Sequence, residues 1–187
     1  HIWLSPLHRQ AWLFEYPELA ESPHALVPSP VSAKDFFPLG RERKGVLVPS
    51  GLLEFKGRAN VLRWAEEHPD VPITAIRYGE EEPLHLPQNI TMIATQPPSA
   101  MNALYNRHET VLHLPATPMP FERIAAEAIL SGCKVVANEL VGALSYPWFT
   151  SRAEIARECF AAPVAFWNAI EDAMGERVLS EAQVPST

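Results

Sequence analysis

Two short stretches of this chain carry residue types suited to a charged ligand. In SGLLEFKG (50–57), Gly51 and Gly57 bracket a loop that ends on Lys56, just ahead of a helical pattern. Backbone N–H groups at a helix start and a lysine ammonium together suit a phosphate. The same residues also describe an ordinary strand-to-helix turn with a solvated lysine. The loop has neither the G-x-x-x-x-G-K-[ST] order of a Walker loop nor the G-x-G-x-x-G of a dinucleotide fingerprint. In TPMPFERIAAEA (117–128), Pro120 suits the first turn of a helix. That start would turn the N–H groups around Phe121, Glu122 and Arg123 toward an anion or toward sugar hydroxyls. Glu127 follows, about two turns in, inside an otherwise apolar run. It shares a helix side with Arg123 and Ser131, so the plain alternative is a solvated stripe with a Glu–Arg pair.

Other chemically able residues form weaker patterns. The seven histidines show no metal-ligand spacing. His113 points the way Val111 does along a strand, which suits a structural histidine. Cys133 stands at a strand entrance among apolar residues and reads as an inert thiol. Glu80, Glu81 and Glu82 could form a carboxylate cluster, although a solvated loop explains them as well. Asn89, Ile90 and Thr91 spell a glycosylation sequon that nothing else in the sequence supports.

With 187 residues, 47% of them hydrophobic and 20% charged, the chain is long and apolar enough for a buried core and lacks a disordered composition. A net charge of −7 argues against a nucleic-acid partner, while leaving room for a local cationic pocket. Two cysteines are too few for a disulfide framework, so a reducing compartment and hence the cytoplasm are expected. No stretch approaches the roughly 18 apolar residues of a membrane span, and no signal peptide is evident. The first residue is His1 rather than methionine, which suggests a fragment, an excised domain or a processed product.

The surrounding pattern positions these residues. A short strand at 2–5 and a helix over 7–16 come first. Residues 22–40 hold Pro23, Pro28, Pro30 and Pro38 and read as an extended connection. From residue 44 onward, strands at 44–50, 71–79, 89–96, 110–117 and 134–139 alternate with helices at 57–68, 98–107 and 120–131. That alternation predicts an α/β fold, a Rossmann-like parallel sheet with helices on both faces. The strands are apolar almost throughout, as expected of strands buried on both sides. Ser151 and Glu154 form a capping box for a helix running to about 162. Pro163 should kink that helix or start another that ends near Gly175. Residues 176–187 read as a frayed tail. In an open parallel sheet, ligands bind beyond the strand C-termini, so segments 50–57, 77–82, 94–98 and 116–123 should share one edge.

The ordered succession KGVLVPSGLLEFKG, LPQNITMIA and ALYNRHETVLHLPATPMPFERIAAEAILSGCKVVANELVGA resembles the C-terminal domain of GT-B glycosyltransferases, family 4-like. The family pattern there is G-R-L-x-x-x-K-G after a strand and, later, E-P-F-G-x-x-x-x-E-A-x-x-x-G-x-x-V-V-A. VPSPVSAKDFFP is similar to the linker that joins the two domains in that family. The resemblance spans roughly 28–145. It implies one half of a GT-B fold: the end of an N-terminal domain and interdomain linker at 1–40, a nucleotide-sugar-binding domain at 41–150, C-terminal helices at 151–175 and a tail at 176–187. It further implies a hexosyltransferase-type enzyme that moves a sugar from a nucleoside-diphosphate sugar to an acceptor hydroxyl, without a cofactor or metal. Lys56 and Glu127 are then the candidate catalytic residues, with Lys56 toward the diphosphate and Glu127 toward the ribose. Gly51, Gly57, Ile93, Ala94, Met119, Pro120, Phe121, Glu122 and Arg123 would complete the donor site, with Ile93 and Ala94 beside the base. Two positions depart from the pattern: its first glutamate falls on Met119 and its arginine on Gly51. Either Arg77, Arg123 or Glu122 supplies those roles, or activity is reduced or lost. The isolated chain, without an N-terminal acceptor domain, is expected to be inactive. Peripheral membrane association of a full-length protein is compatible with the resemblance. The alternatives are a catalytically impaired nucleotide-sugar binding or interaction domain and a GT-B-shaped sugar-nucleotide epimerase.

Overall fold

The structure, a computed structural model, describes residues 1–78 and 86–175. Its centre is a five-stranded sheet built from β3 (Val46–Val48), β4 (Ile73–Ile76), β5 (Ile90–Ile93), β6 (Thr110–His113) and β7 (Lys134–Ala137). The order is β5-β4-β3-β6-β7 and every pairing is parallel. Alternation along the strands splits the core into two layers. Leu47, Ile76 and Val111 pack with α3 (Pro98–Tyr105), α4 (Arg123–Leu130) and α5 (Arg152–Met174). Val46, Val48, Ile73, Ala75 and Leu112 pack on the other face with Val61 and Ala65 of α2 (Arg58–Glu67). This is the α/β sheet with helices on both faces that the strand–helix alternation predicts.

A separate pair, β1 (Ile2–Trp3) and β2 (Ala25–Leu26), runs parallel beside α1 (Pro6–Glu15). The N-terminal segment is tied to the main sheet through named bonds. Ser5 caps α1 by accepting from the His8 amide, and its hydroxyl donates to the Pro120 carbonyl. The Leu7 amide donates to Ser145 Oγ at 3.0 Å, and Tyr146 Oη to the Leu4 carbonyl at 3.2 Å. The proline-rich connection also lies against the domain. Val31 and Phe36 are buried in its core, and Asn106 accepts from the Leu39 amide while donating to the Phe37 carbonyl.

Three expectations need correction. The helix expected from Pro120 begins at Arg123, because Glu122 is left-handed (φ 66°, ψ 89°) and the residues before it bond sideways to 140–143. Of the two alternatives at Pro163, the new helix is excluded: α5 is one helix of 23 residues that runs through Pro163 and closes at Gly175, the end expected from sequence. The single N–H lost at Pro163 is offset by the packing of Ile155, Cys159 and Ala162. Burial on both sides fails for β7, where Lys134 and Val136 are exposed. β7 is an edge strand beyond the reach of α2. The Glu80–Glu82 cluster and the 176–187 tail lie outside the described residues. The sequon asparagine is structural, since Asn89 Nδ2 donates to the carbonyls of Ala65, His68 and Val71. Both cysteines are free and buried.

Candidate functional site

Strand order fixes where a ligand edge must lie. The chain goes from β3 outward through β4 to β5, then returns across β3 to place β6 and β7 on its other side. Connections leave in opposite directions from β3 and β6, and the crevice between their C-terminal ends is the topological switch point. The loop carrying Lys56 leaves from β3, and the loop carrying Met119 to Glu122 leaves from β6. Gly57 makes their approach feasible: at φ +87°, an added Cβ would sit 1.8 Å from the Leu114 carbonyl oxygen.

At this crevice Lys56, Glu122 and His113 meet. Lys56 Nζ donates to Glu122 Oε1 at 2.6 Å and lies 3.6 Å from Met119 Sδ. Glu122 Oε2 is 3.0 Å from His113 Nε2. That contact has ion-pair distance without hydrogen-bond alignment, so Lys56 is the stronger partner. His113 is fully buried, and its Nδ1 lies 3.3 Å from Ser50 Oγ. Burial works to raise the Glu122 carboxyl, but its contacts with His113 and Lys56 outweigh that and hold it below the usual carboxylate range. Glu122 is the one non-glycine residue at positive φ among the described residues. Its loop is pinned on every side. The Met119 amide donates to the Leu140 carbonyl, the Gly142 amide to the Met119 carbonyl and the Ala143 amide to the Phe121 carbonyl.

Beside this cluster, a cavity of about 270 Å³ opens on the face carrying α3 and α4. Pro49, Tyr78, Gln96 and Tyr105 form part of its wall, with Arg123 and Glu127 on the α4 side. Glu127 is not a solvated stripe residue: its side chain is 13% exposed against 56% for Arg123. Its Oε2 accepts from Tyr105 Oη at 3.0 Å, and its Oε1 lies 3.3 Å from Arg123 Nη2. Burial pushes the Glu127 carboxyl up; the Tyr105 bond and Arg123 oppose this, while Glu122 adds to it. Tyr105, buried and facing Glu127, is held well above the usual phenol range and stays a donor. Glu127 thus presents a part-buried anion with accepting capacity left over, which suits ligand hydroxyls.

The sequence-predicted residues fall into distinct places. Lys56, Met119 and Glu122 converge at the crevice, and Arg123 and Glu127 line the cavity. Phe121 is 1% exposed and packs edge-on against Tyr146 and Phe149, so it anchors the loop from below. Pro120 offers its carbonyl to Ser5. Ile93 packs into the core layer and Ala94 is exposed. Neither lines the cavity; Gln96 and Pro98 do so from slightly farther along the same segment. Gly51 explains the absent arginine. At φ +65°, a Cβ there would come within 2.3 Å of the Ile76 carbonyl oxygen and 2.8 Å of the Tyr78 ring. Tyr78 spans that space and donates to the Pro49 carbonyl at 3.0 Å. The residues missed from sequence are His113, Tyr105, Tyr78, Ser50 and Gln96. One signal was available for Glu122: it stands where the E-P-F-G pattern has glycine, so a positive φ was legible there.

No protein-family model matches this sequence, and no curated protein matches it. Solved structures do match. Sucrose-phosphate synthase from Thermosynechococcus elongatus aligns over 93% of this chain and 53% of its own, with TM-score 0.59 and 16% identity. A glycosyltransferase from Rickettsia africae ESF-5 aligns over 92% and 56%, with TM-score 0.64 and 16% identity. The chain has the fold of one half of a GT-B glycosyltransferase. Anabaena HepE, solved in complex with UDP-glucose, matches this GT-B half over 92% of the chain and 54% of its own, at TM-score 0.60 and 18% identity. The chain thus spans just over half the length of these structures. Among its described residues, no helix is long and apolar enough to cross a membrane.

Proposed function

We propose that this chain is the donor-binding half of a glycosyltransferase that moves a sugar from a nucleoside diphosphate to an acceptor hydroxyl. Glu127 carries the reading. A carboxylate about one turn into α4, held by Tyr105 at the rim of a cavity on the ligand edge, is placed to accept bonds from ribose hydroxyls. Tyr78, Gln96 and Pro98 would then border the base, and the crevice at Lys56 would face the diphosphate. In the transfer, the bond from the sugar's anomeric carbon to the diphosphate oxygen breaks as the acceptor oxygen bonds to that carbon. The acceptor proton leaves to a base or to the departing diphosphate. A cation at the departing oxygens stabilises the charge that develops there. The acceptor cleft would come from a second half, which the 53–56% coverage of the three solved structures above accommodates.

A second reading, a domain that binds nucleotide sugars with little or no turnover, is favoured by one observation. Lys56 is already engaged by Glu122, while Gly51 and Met119 bring no further charge. Calorimetric titration with uridine, adenosine and guanosine and their diphosphates tests the shared premise. Saturable binding by at least one base series is expected, and silence from all three would sink both readings. Sugar transfer by a full-length protein from the donor whose nucleoside binds would select the first; binding without transfer would select the second.

A further inference from the structure

We infer that Glu122 is a built-in anion seated in the phosphate subsite at Lys56, so that this chain selects its ligand by the nucleoside and discriminates against the diphosphate. The inference rests on the donor-site reading above in its second form, a domain that binds nucleotide sugars with little or no turnover. Three observations carry it. First, Glu122 uses both carboxylate oxygens inward: Oε1 on Lys56 at 2.6 Å and Oε2 beside His113 at 3.0 Å. Phosphate oxygens brought to Lys56 would have to displace a carboxylate from the same ammonium, in a crevice where Glu122 is 13% exposed and poorly screened by solvent. Second, Glu122 is not free to swing away with its loop. The neighbouring Met119, Pro120 and Phe121 carbonyls accept from Gly142, Ser5 and Ala143. Third, the backbone at Glu122 is in a region that favours glycine (φ 66°, ψ 89°). A residue held in such a region, with its side chain committed to specific partners, marks a site where position matters more than local stability.

The same geometry leaves the nucleoside side open. Glu127, Tyr78 and Gln96 line the neighbouring cavity, while the Lys56 ammonium is directed to Glu122 and Met119. The site therefore divides into a nucleoside portion with an accepting carboxylate and a phosphate portion already neutralised from within. Glu122 is a specificity-determining residue of the proposed site: its carboxylate sets how much a phosphate can add to binding.

Calorimetry on wild type, Glu122→Gln, Glu122→Gly and Glu122→Gly/Lys56→Ala tests this, using uridine, adenosine and guanosine with their diphosphates. Glutamine removes the charge and keeps the bulk, and far-UV circular dichroism verifies that each variant is folded. In wild type, the diphosphate should bind within about threefold of its nucleoside, because charged hydrogen bonds to Lys56 are already taken. Both single variants should tighten the diphosphate by about tenfold or more and change the nucleoside by much less, and Lys56→Ala should cancel the gain. A wild type that already binds the diphosphate far more tightly than the nucleoside overturns the inference and spares the donor-site reading. So do nucleoside binding with indifferent Glu122 variants and weaker diphosphate binding in them. If no nucleoside or diphosphate binds wild type or variants, the donor-site reading falls and the inference with it.

Discussion

Replacing Glu127 by glutamine keeps the shape of the side chain and removes its charge. In the native arrangement one oxygen accepts from Tyr105 Oη at 3.0 Å and the other faces Arg123 Nη2 at 3.3 Å. Both neighbours are donors, so a carboxylate serves each while an amide cannot. If the amide oxygen stays on Tyr105, its NH2 group confronts the Arg123 guanidinium; reversed, the NH2 faces the phenol. In either case a ligand hydroxyl meets a neutral acceptor with fewer free lone pairs. Hydrogen bonds to charged groups contribute about 1.5–3 kcal/mol and neutral ones about 0.5–1.5 kcal/mol. The difference, about 1–1.5 kcal/mol, is roughly five- to tenfold in affinity per bond. Glu127→Gln should therefore weaken a ribonucleoside by about that factor and its 2′,3′-dideoxy analogue by less than about twofold. Titration calorimetry with the 2′-deoxy, 3′-deoxy and dideoxy series reads both the effect and the hydroxyl responsible. Equal losses across the series would refute ribose recognition by Glu127.

The same substitution has a second readout with the opposite sign. Burial raises the Glu127 carboxyl above its unfolded value, so its ionised form is disfavoured in the folded state. The stability it contributes is greatest when it is protonated, below the unfolded value, and is lost as pH rises through the folded value. At neutral pH the cost is present in full. Glu127→Gln should raise the midpoint of a denaturant melt at pH 7 and lose that advantage in acid, where the carboxyl is neutral in both states. A residue whose removal stabilises the fold while weakening the ligand serves binding rather than packing.

Four further outcomes follow from the geometry. Gly57→Ala should cost about 2–4 kcal/mol in a denaturant melt, from backbone strain plus overpacking, since its Cβ would land 1.8 Å from a carbonyl oxygen. Gly40→Ala, at φ +65° with nothing within 4 Å, should cost only the strain, about 1–2 kcal/mol. Ser5→Ala removes both the cap of α1 and the donor to the Pro120 carbonyl and should lower stability by about 2 kcal/mol; an unchanged melt would detach the N-terminal segment from the loop. Glu122 is held below its usual range, so the stability it adds is present above the unfolded value and drains as pH falls through the folded one. Melts stepped downward from pH 6 should show a larger acid loss in wild type than in Glu122→Gln, and equal losses would contradict the ion pair.

The sheet was legible because its information is local. Val46, Leu47 and Val48 alternate between the two core layers, and turn residues punctuate the strands. The β7 edge was not, since exposure of Val136 depends on which helix covers which strand. The start of α4 was misread for a related reason. Pro120 is a good first-turn residue, but here bonds from Ser5, Gly142 and Ala143 hold the loop sideways, and those partners are remote in sequence. The crevice shows the same limit. Lys56 and Glu122 were each legible as candidates, but their pairing, with His113 beneath, depends on a crossing at the switch point. A lone lysine before a helix says nothing about what neutralises it.

The two carboxylates of the site are separated by environment, and that separation sets what each one does. They stand five positions apart, close enough that Glu122 helps raise Glu127. Glu122 faces an ammonium and an imidazole and is held low; Glu127 faces a phenol and a partly exposed guanidinium and is pushed up. Neighbouring titratable groups driven apart in this way serve distinct roles. Glu122 is spent on internal neutralisation, while Glu127 keeps the charge and lone pairs that a hydroxyl-bearing ligand would use. Both depart from what stability alone would choose: one sits on a backbone that favours glycine, the other ionises against its own burial. Local costs of this kind collect where a chain holds groups for a ligand rather than for the fold. Here they coincide with the C-terminal edge of the sheet, where the connections leaving β3 and β6 diverge.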